Sequence, residues 1–131
     1  KIKKAVNRFL ENGIEVSLFI DADTAQIEES KILGASMIEF HTGRYANLFL
    51  ALNTNINFTK HKLFNEYDKK SLKQMLKDEI EIIKDSAVFA KDIGLEVAAG
   101  HGLNYQNVQE IAKIKDIVEL NIVHSIIANS I

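Results

Sequence analysis

The chain has 131 residues, 47% of them hydrophobic and 26% charged, a composition typical of one globular unit rather than a disordered segment. Its 16 Lys and Arg against 18 Asp and Glu leave a formal charge of -2, which favours neither nucleic acid nor an anionic membrane as a partner. It contains no cysteine and no apolar run of about 20 residues, so the sequence predicts neither disulfide bonds nor a membrane-spanning helix. We therefore expect a cytoplasmic protein with a small-molecule partner.

Helical and strand-like segments alternate along the chain, and a glycine lies between helix and strand in the first three of four rounds. Glycine is common at this point because it readily adopts the left-handed conformation that ends a helix. The spacing of apolar residues predicts a helix at the start of the chain and further helices over 26–33, 71–93 and 104–113. Short apolar runs predict strands over 16–20, 37–40, 95–99 and 117–123.

Two polar pairs predict helix starts, since Asp23 with Gln26 and Ser71 with Gln74 both have the spacing of a capping box. Strands that are connected through helices run parallel, because the helix makes the return trip along the sheet. The fold class is therefore α/β. The segment over 44–70 fits none of these elements, and we expect it to be a long loop insertion.

Polar residues on one face of the strands favour a barrel over a doubly wound sheet. A doubly wound sheet is covered by helices on both faces, whereas barrel strands turn one face to a shared interior. Glu39 and His41 share one strand face, and so do Glu119 and Asn121. We predict a parallel (β/α)8 TIM barrel of which this chain supplies about four units, since a complete barrel takes about 250 residues. The chain starts at Lys1 inside a helical pattern, so we expect a fragment.

Three of the four histidines follow predicted strands, at the end of the sheet where parallel α/β proteins place their sites. A single histidine there is more often structural, but His41, His101 and His124 together favour a functional site. Gly100 and Gly102 flank His101 and allow the backbone to pass close to a ligand. An imidazole suits proton transfer because it titrates near neutral pH.

Glu39 is predicted to point into the barrel from the middle of its strand, either as a catalytic carboxylate or as one paired with Lys or Arg from elsewhere. A metal site built from Glu39, His41, His101 and His124 is an alternative, because zinc and iron bind such ligands. No HxH or HExxH pair supports a metal site, so we favour general acid-base chemistry.

Four segments of the chain resemble, in order and spacing, those of pyridoxine 5'-phosphate synthase, a family of (β/α)8 barrels in vitamin B6 biosynthesis. The resemblance covers nearly the whole chain, and the four segments would be strands five to eight of the barrel. They are Val16–Asp23, Ile38–Gly43, Ala99–Leu103 and Glu119–His124.

The resemblance implies that 1-deoxy-D-xylulose 5-phosphate condenses with 3-amino-2-oxopropyl phosphate to give pyridoxine 5'-phosphate, inorganic phosphate and water. It implies no cofactor, and it implies a homo-octamer. By position, His101 would be the proton donor and Glu39 the stabiliser of the transition state. Gly102, Val123 and His124 would bind substrate phosphate, although the family has Gly in place of Val123. The catalytic bases would lie in the other half of the barrel, so we expect this segment alone to be inactive.

Two other functions stay open on the residues alone. One is another phosphate-binding TIM-barrel aldolase or isomerase, which a strand-end lysine able to form a Schiff base would favour. No predicted strand is followed by such a lysine. The other is a noncatalytic α/β binding module, in which His101 would transfer no proton.

Overall fold

Helices separate consecutive strands throughout the computed structural model, which describes residues 1–53, 64 and 66–122. The strands are β1 (Ser17–Ile20), β2 (Met37–His41), β3 (Glu96–Gly100) and β4 (Ile117–Asn121). The helices of this part of the chain are α1 (Ile2–Glu11), α2 (Thr24–Leu33), α3 (Gly43–Asn53), α4 (Lys69–Asp92) and α5 (Val108–Ala112). None of them combines the length and the apolar character that crossing a bilayer would require.

The four strands form one parallel sheet in the order β1-β2-β3-β4, which confirms the predicted α/β class. Each strand therefore lies beside the one that precedes it in the chain, as in the wall of a barrel. The register aligns Glu39 with Ala98 and His41 with Gly100, so the carboxyl ends of β2 and β3 lie level. Side chains that follow these strands consequently meet at one edge of the sheet.

One face of the sheet is covered by helices and the other is open within the described residues. The covered face is apolar and packs against α2, α3, α4 and α5 in the main core. The buried residues of this core include Ile38, Phe40, Val97 and Ala99 from the sheet and Ile27, Tyr45, Ile83 and Ile111 from the helices. The open face carries the exposed Glu119 and the half-buried Glu39 and His41, which is the polar character predicted for a barrel interior, although Phe19 on the same face is apolar and 54% exposed.

The prediction of a loop over 44–70 is wrong for its first part, because α3 covers Gly43–Asn53. Tyr45, Leu48 and Ala51 are buried at intervals of three residues, which is the spacing of one helix face. Leu48 and Ala51 pack against Leu72 of α4 in a second, smaller core. The last two residues of the expected insertion, Lys69 and Lys70, belong to α4, and residues 54–63 and 65 lie outside the described residues.

The predicted capping box is half formed in α2, where the Gln26 side chain accepts the N–H of Asp21 and not that of Asp23, and it is absent from α4. Asp23 Oδ1 accepts the N–H of Gln26 at 3.0 Å, as the spacing predicts. In α4, Ser71 is not the N-cap, because the helix begins at Lys69 and Asp68 Oδ1 accepts the Ser71 N–H at 2.7 Å. That hydrogen bond lowers the pKa of the Asp68 carboxyl.

The last predicted helix, over 104–113, is shorter in the structure. The side-chain oxygen of Asn104 accepts the N–H groups of Gln106 and Asn107, both at 2.9 Å. Such a turn competes with helix formation, because the side chain takes donors that a helix would use along its backbone. Helix α5 therefore starts only at Val108.

Tyr45 joins α3 to the loop after β3, and its ionisation should destabilise the fold. Its buried hydroxyl donates to the carbonyl oxygen of Asn107. Burial, and then the negative charge of Glu110, raise the pKa of Tyr45 from 10.0 to about 12. Because the folded pKa is the higher one, the contribution to stability is complete below about pH 10 and is lost as the pH rises through about 12.

We therefore expect the free energy of unfolding to fall more steeply above about pH 10 in the wild-type protein than in Tyr45→Phe. At neutral pH the variant should lose only the hydrogen bond, about 0.5–1.5 kcal/mol. Urea unfolding at a series of pH values measures both effects. Equal slopes above pH 10 in the two proteins would show that Tyr45 ionises as freely in the folded state as in the unfolded state.

Candidate active site

The carboxyl ends of β2 and β3 bring a carboxylate and two imidazoles onto the open face of the sheet. Glu39 and His41 are two residues apart on β2, so their side chains share this face. His101 directly follows Gly100, the last residue of β3 and the partner of His41 in the register. The three groups predicted for chemistry therefore come from two neighbouring strands, Glu39 from the middle of β2 and the two imidazoles from the ends of β2 and β3.

The Glu39 side chain lies over Gly100 and occupies the space that a larger residue there would fill. A Cβ atom on Gly100 would overlap Glu39 Oε1 and would stand 2.9 Å from Asn121 Cβ. Within the described residues, the Glu39 carboxylate makes no hydrogen bond or ion pair. It is half-buried and faces the interior of the predicted barrel.

His41, His101 and Phe19 form a cluster of aromatic rings on the same face. The imidazoles of His41 and His101 are stacked, with centroids 4.4 Å apart and planes inclined by 28°. Phe19 of β1 meets His41 edge-on at 5.1 Å and lies 6.3 Å from His101. Three neighbouring strands thus contribute one ring each to the cluster.

A local hydrogen bond fixes the orientation of His41. Its Nδ1 accepts the backbone N–H of Gly43 at 3.2 Å. A neutral imidazole carries one proton, so an accepting Nδ1 places that proton on Nε2. Gly43 permits this approach because it has no side chain: a Cβ atom there would overlap His41 Cε1 and stand 3.3 Å from His101 Cδ2.

The backbone at His101 is in the left-handed region, with φ of 73°, and Thr42 holds it there. The buried Thr42 hydroxyl lies 2.6 Å from the carbonyl oxygen of Gly100 and 2.9 Å from that of His101, so it can donate to either. The Thr42 N–H also donates to the Gly100 carbonyl at 2.8 Å. These bonds from β2 offset a conformation that costs on the order of 1–3 kcal/mol outside glycine.

Gly102 continues this turn and lies against α3. Its φ is 85°, and a Cβ atom there would stand 2.8 Å from Ala46 Cβ, so the position requires glycine on both counts. The Asn107 side-chain amide donates to the Gly102 carbonyl at 3.0 Å. Beside the turn, a cavity of about 540 Å³ opens between α3 and the loop; Gly102, Asn47, Asn53 and Gln106 are among its lining residues.

The structure unites some of the predicted site residues and leaves others untested. Glu39 lies in the middle of β2 with its side chain over Gly100, His101 directly follows Gly100 at the end of β3, and Gly102 continues the same turn. Val123 and His124, predicted to bind phosphate, lie outside the described residues. No group of three His, Cys, Asp or Glu side chains within 1–53, 64 and 66–122 is arranged to hold a metal ion.

The structure places His41, Thr42 and Gly100 at the centre of the site. The sequence indicates His41 only as one of three strand-end histidines and Gly100 only as a place where the backbone can approach a ligand, and it gives Thr42 no role. The shared strand parity of Glu39 and His41 was the available signal for one of them. Thr42 and Gly100 act through contacts between β2 and β3, which are far apart in sequence. Their contribution therefore depends on the register of the sheet.

A parallel sheet with helices on one face and polar strand-end residues on the other is a portion of a (β/α)8 barrel, as predicted. The model of the family described as pyridoxal phosphate biosynthesis protein PdxJ matches residues 1–131. The chain belongs to this family, which confirms the resemblance carried by its four strand segments.

Curated relatives named pyridoxine 5'-phosphate synthase match the chain along its whole length. The protein of Nautilia profundicola is 59% identical over 131 residues, covering 100% of this chain and 51% of the relative. Those of Wolinella succinogenes and Campylobacter fetus are each 50% identical, covering 99% of this chain and 50% and 51% of the relatives. The chain thus spans about half the length of the curated relatives it matches.

Proposed function

We propose that this chain supplies the C-terminal half of a pyridoxine 5'-phosphate synthase, the last four strand-helix units of one (β/α)8 barrel. The complete enzyme would condense 1-deoxy-D-xylulose 5-phosphate with 3-amino-2-oxopropyl phosphate to form pyridoxine 5'-phosphate, inorganic phosphate and water. Family membership supports this proposal, together with relatives of that name. The full-length protein is defined as a chain of the relatives' length that contains residues 1–131.

The observation that carries the proposal is the placement of a carboxylate and stacked imidazoles on the open face at two strand ends. Forming the ring joins an amine to a carbonyl group and then removes water, so hydroxyl groups must leave as water. Each departure needs a proton donor, and an imidazole near neutral pH is suited to give one. We assign this role to His101, whose side chain is the more exposed of the stacked pair.

Glu39 would act by charge rather than by proton transfer. Imine formation and the dehydrations that follow pass through cationic nitrogen species, which a nearby carboxylate stabilises. This effect is strongest where little water competes, as in the interior of a closed barrel. The position of the carboxylate over Gly100 supports the assignment, because it holds the charge beside the residue that precedes His101.

Replacing Glu39 by Gln in the full-length protein tests both the function and this role. We expect kcat for pyridoxine 5'-phosphate formation to fall on the order of 10²-fold, because the charge is lost while the shape is kept. Glu96→Gln is the matched control, since Glu96 is exposed on the same face at the opposite end of β3. A wild-type protein that forms no product would refute the function, and equal turnover in both variants would refute the role of Glu39.

Gly102, Val123 and His124 are proposed to bind a substrate phosphate, as the family resemblance implies. Barrels often hold phosphate after their last two strands, where backbone N–H groups converge. We expect His124→Ala to raise KM for a phosphorylated substrate about 10- to 100-fold, the worth of one hydrogen bond to a charged group. Unchanged KM for both substrates would remove His124 from the phosphate site.

Assembly and location complete the proposal. The family resemblance suggests a homo-octamer, and the lack of cysteine suits a reducing cytoplasm. Light scattering of the full-length protein would test the octamer, and a particle of any other mass would refute it. Cell fractionation would test the location.

A further inference from the structure

On the open face of the sheet, the imidazole of His101 is contacted by two other aromatic rings, those of His41 and Phe19. Its side chain makes no hydrogen bond within the described residues, and the residue is exposed. The stacked ring of His41 and the more distant Phe19 are the groups that restrict its rotation. An exposed side chain without such a support would exchange among several rotamers.

His41 is better fixed than the ring it supports. It is half-buried, its Nδ1 accepts the Gly43 N–H, and the edge of Phe19 meets its ring at 5.1 Å. In the tautomer with the proton on Nε2, Nδ1 carries the ring's only lone pair, which that N–H already occupies. His41 is therefore poorly placed to accept a proton during the reaction.

Three consecutive residues, the last of β2 and the two that follow it, act together on His101. The ring of His41 supports the imidazole, and the Thr42 hydroxyl holds the carbonyls on either side of the turn. Gly43 leaves room for both histidine rings and supplies the N–H that orients one of them. The arrangement fixes the direction of the His101 side chain as well as its backbone.

We propose that His41 is a positioning residue for the reaction, which holds the His101 imidazole in its productive orientation by stacking and transfers no proton itself. The inference rests on the proposed function, in which His101 is the proton donor. Displacing a proton donor by about 1 Å can lower the reaction rate on the order of 10²-fold. Loss of the ring that supports His101 should therefore lower kcat measurably.

Two substitutions in the full-length protein separate the properties of His41. His41→Phe keeps a ring for stacking and loses both nitrogens, whereas His41→Asn keeps a polar acceptor near Gly43 and loses the ring. We expect His41→Phe to retain kcat within a few-fold, and His41→Asn to lower it on the order of 10²-fold with little change in KM. Equal large losses in both variants would make His41 a proton-transfer group and overturn the proposal.

Melting temperatures and NMR spectra provide two readouts besides the activity assay. If both variants lower the melting temperature but retain kcat per folded molecule, His41 is merely structural and the proposal fails. In NMR spectra of the full-length protein, His41→Asn should shift the ring protons of His101 by removing the ring current of its neighbour, while His41→Phe should largely preserve those shifts. A wild-type protein without synthase activity that still shows this pattern would refute the function and leave the stack established.

Discussion

His101→Asn in the full-length protein should lower kcat for pyridoxine 5'-phosphate formation by about 10²- to 10⁴-fold, with a much smaller change in KM. A general acid acts mainly in the transition state, so its removal leaves ground-state binding of the substrates nearly intact. Asn is the suitable replacement because His101 has a φ of 73°, a conformation that asparagine adopts more readily than most residues. The loss should therefore reflect chemistry rather than a misfolded turn.

Gln106→Ala provides the matched control, since Gln106 is exposed in the same loop and its side chain makes no hydrogen bond within the described residues. This variant should keep the turnover of the wild-type protein. Steady-state kinetics with both substrates, alongside melting temperatures, gives the comparison. If His101→Asn and Gln106→Ala turn over at similar rates, the proton donor lies elsewhere in the barrel.

The sheet could be predicted from the sequence because its determinants are local. Apolar runs of strand length, glycines such as Gly34 at helix ends, and helices between the strands together require a parallel sheet. The shared parity of Glu39 and His41 likewise indicates which face of the sheet is polar. These signals depend on neighbouring residues, which a single sequence displays directly.

Other features depend on contacts between distant residues and could not be predicted in this way. The sequence does not indicate helix α3, because the stretch contains few charged residues to mark an exposed face and its burial depends on contacts with α4, which lies further along the chain. The hydrogen bonds from Thr42 to Gly100 and His101 join residues 58 and 59 positions apart. The stack of His41 on His101 likewise exists only because β2 and β3 pair in this register.

Gly100→Ala is the second change expected to have a large effect, and it acts through Glu39. The new methyl group would overlap Glu39 Oε1, so the carboxylate must leave the position over β3. We expect kcat to fall on the order of 10²-fold, similar to the loss of the charge itself in Glu39→Gln. The methyl group would also stand 2.9 Å from Asn121 Cβ, and this overpacking should cost about 1–3 kcal/mol of stability.

A double-mutant cycle with Glu39→Ala distinguishes the displacement of Glu39 from general damage to the site. Shortening residue 39 to Ala removes the overlapping carboxylate, so adding Gly100→Ala should then cost little further activity. The contact with Asn121 remains in that background, and the loss of stability should therefore persist even though the loss of kcat does not. Activity losses that simply add would mean that Gly100 serves the reaction by another route, such as the path of the backbone into His101. Steady-state kinetics and urea unfolding of the four full-length proteins measure kcat and the free energy of unfolding. If the two substitutions are coupled in kcat but not in stability, the absence of a side chain at Gly100 serves to make room for the Glu39 carboxylate.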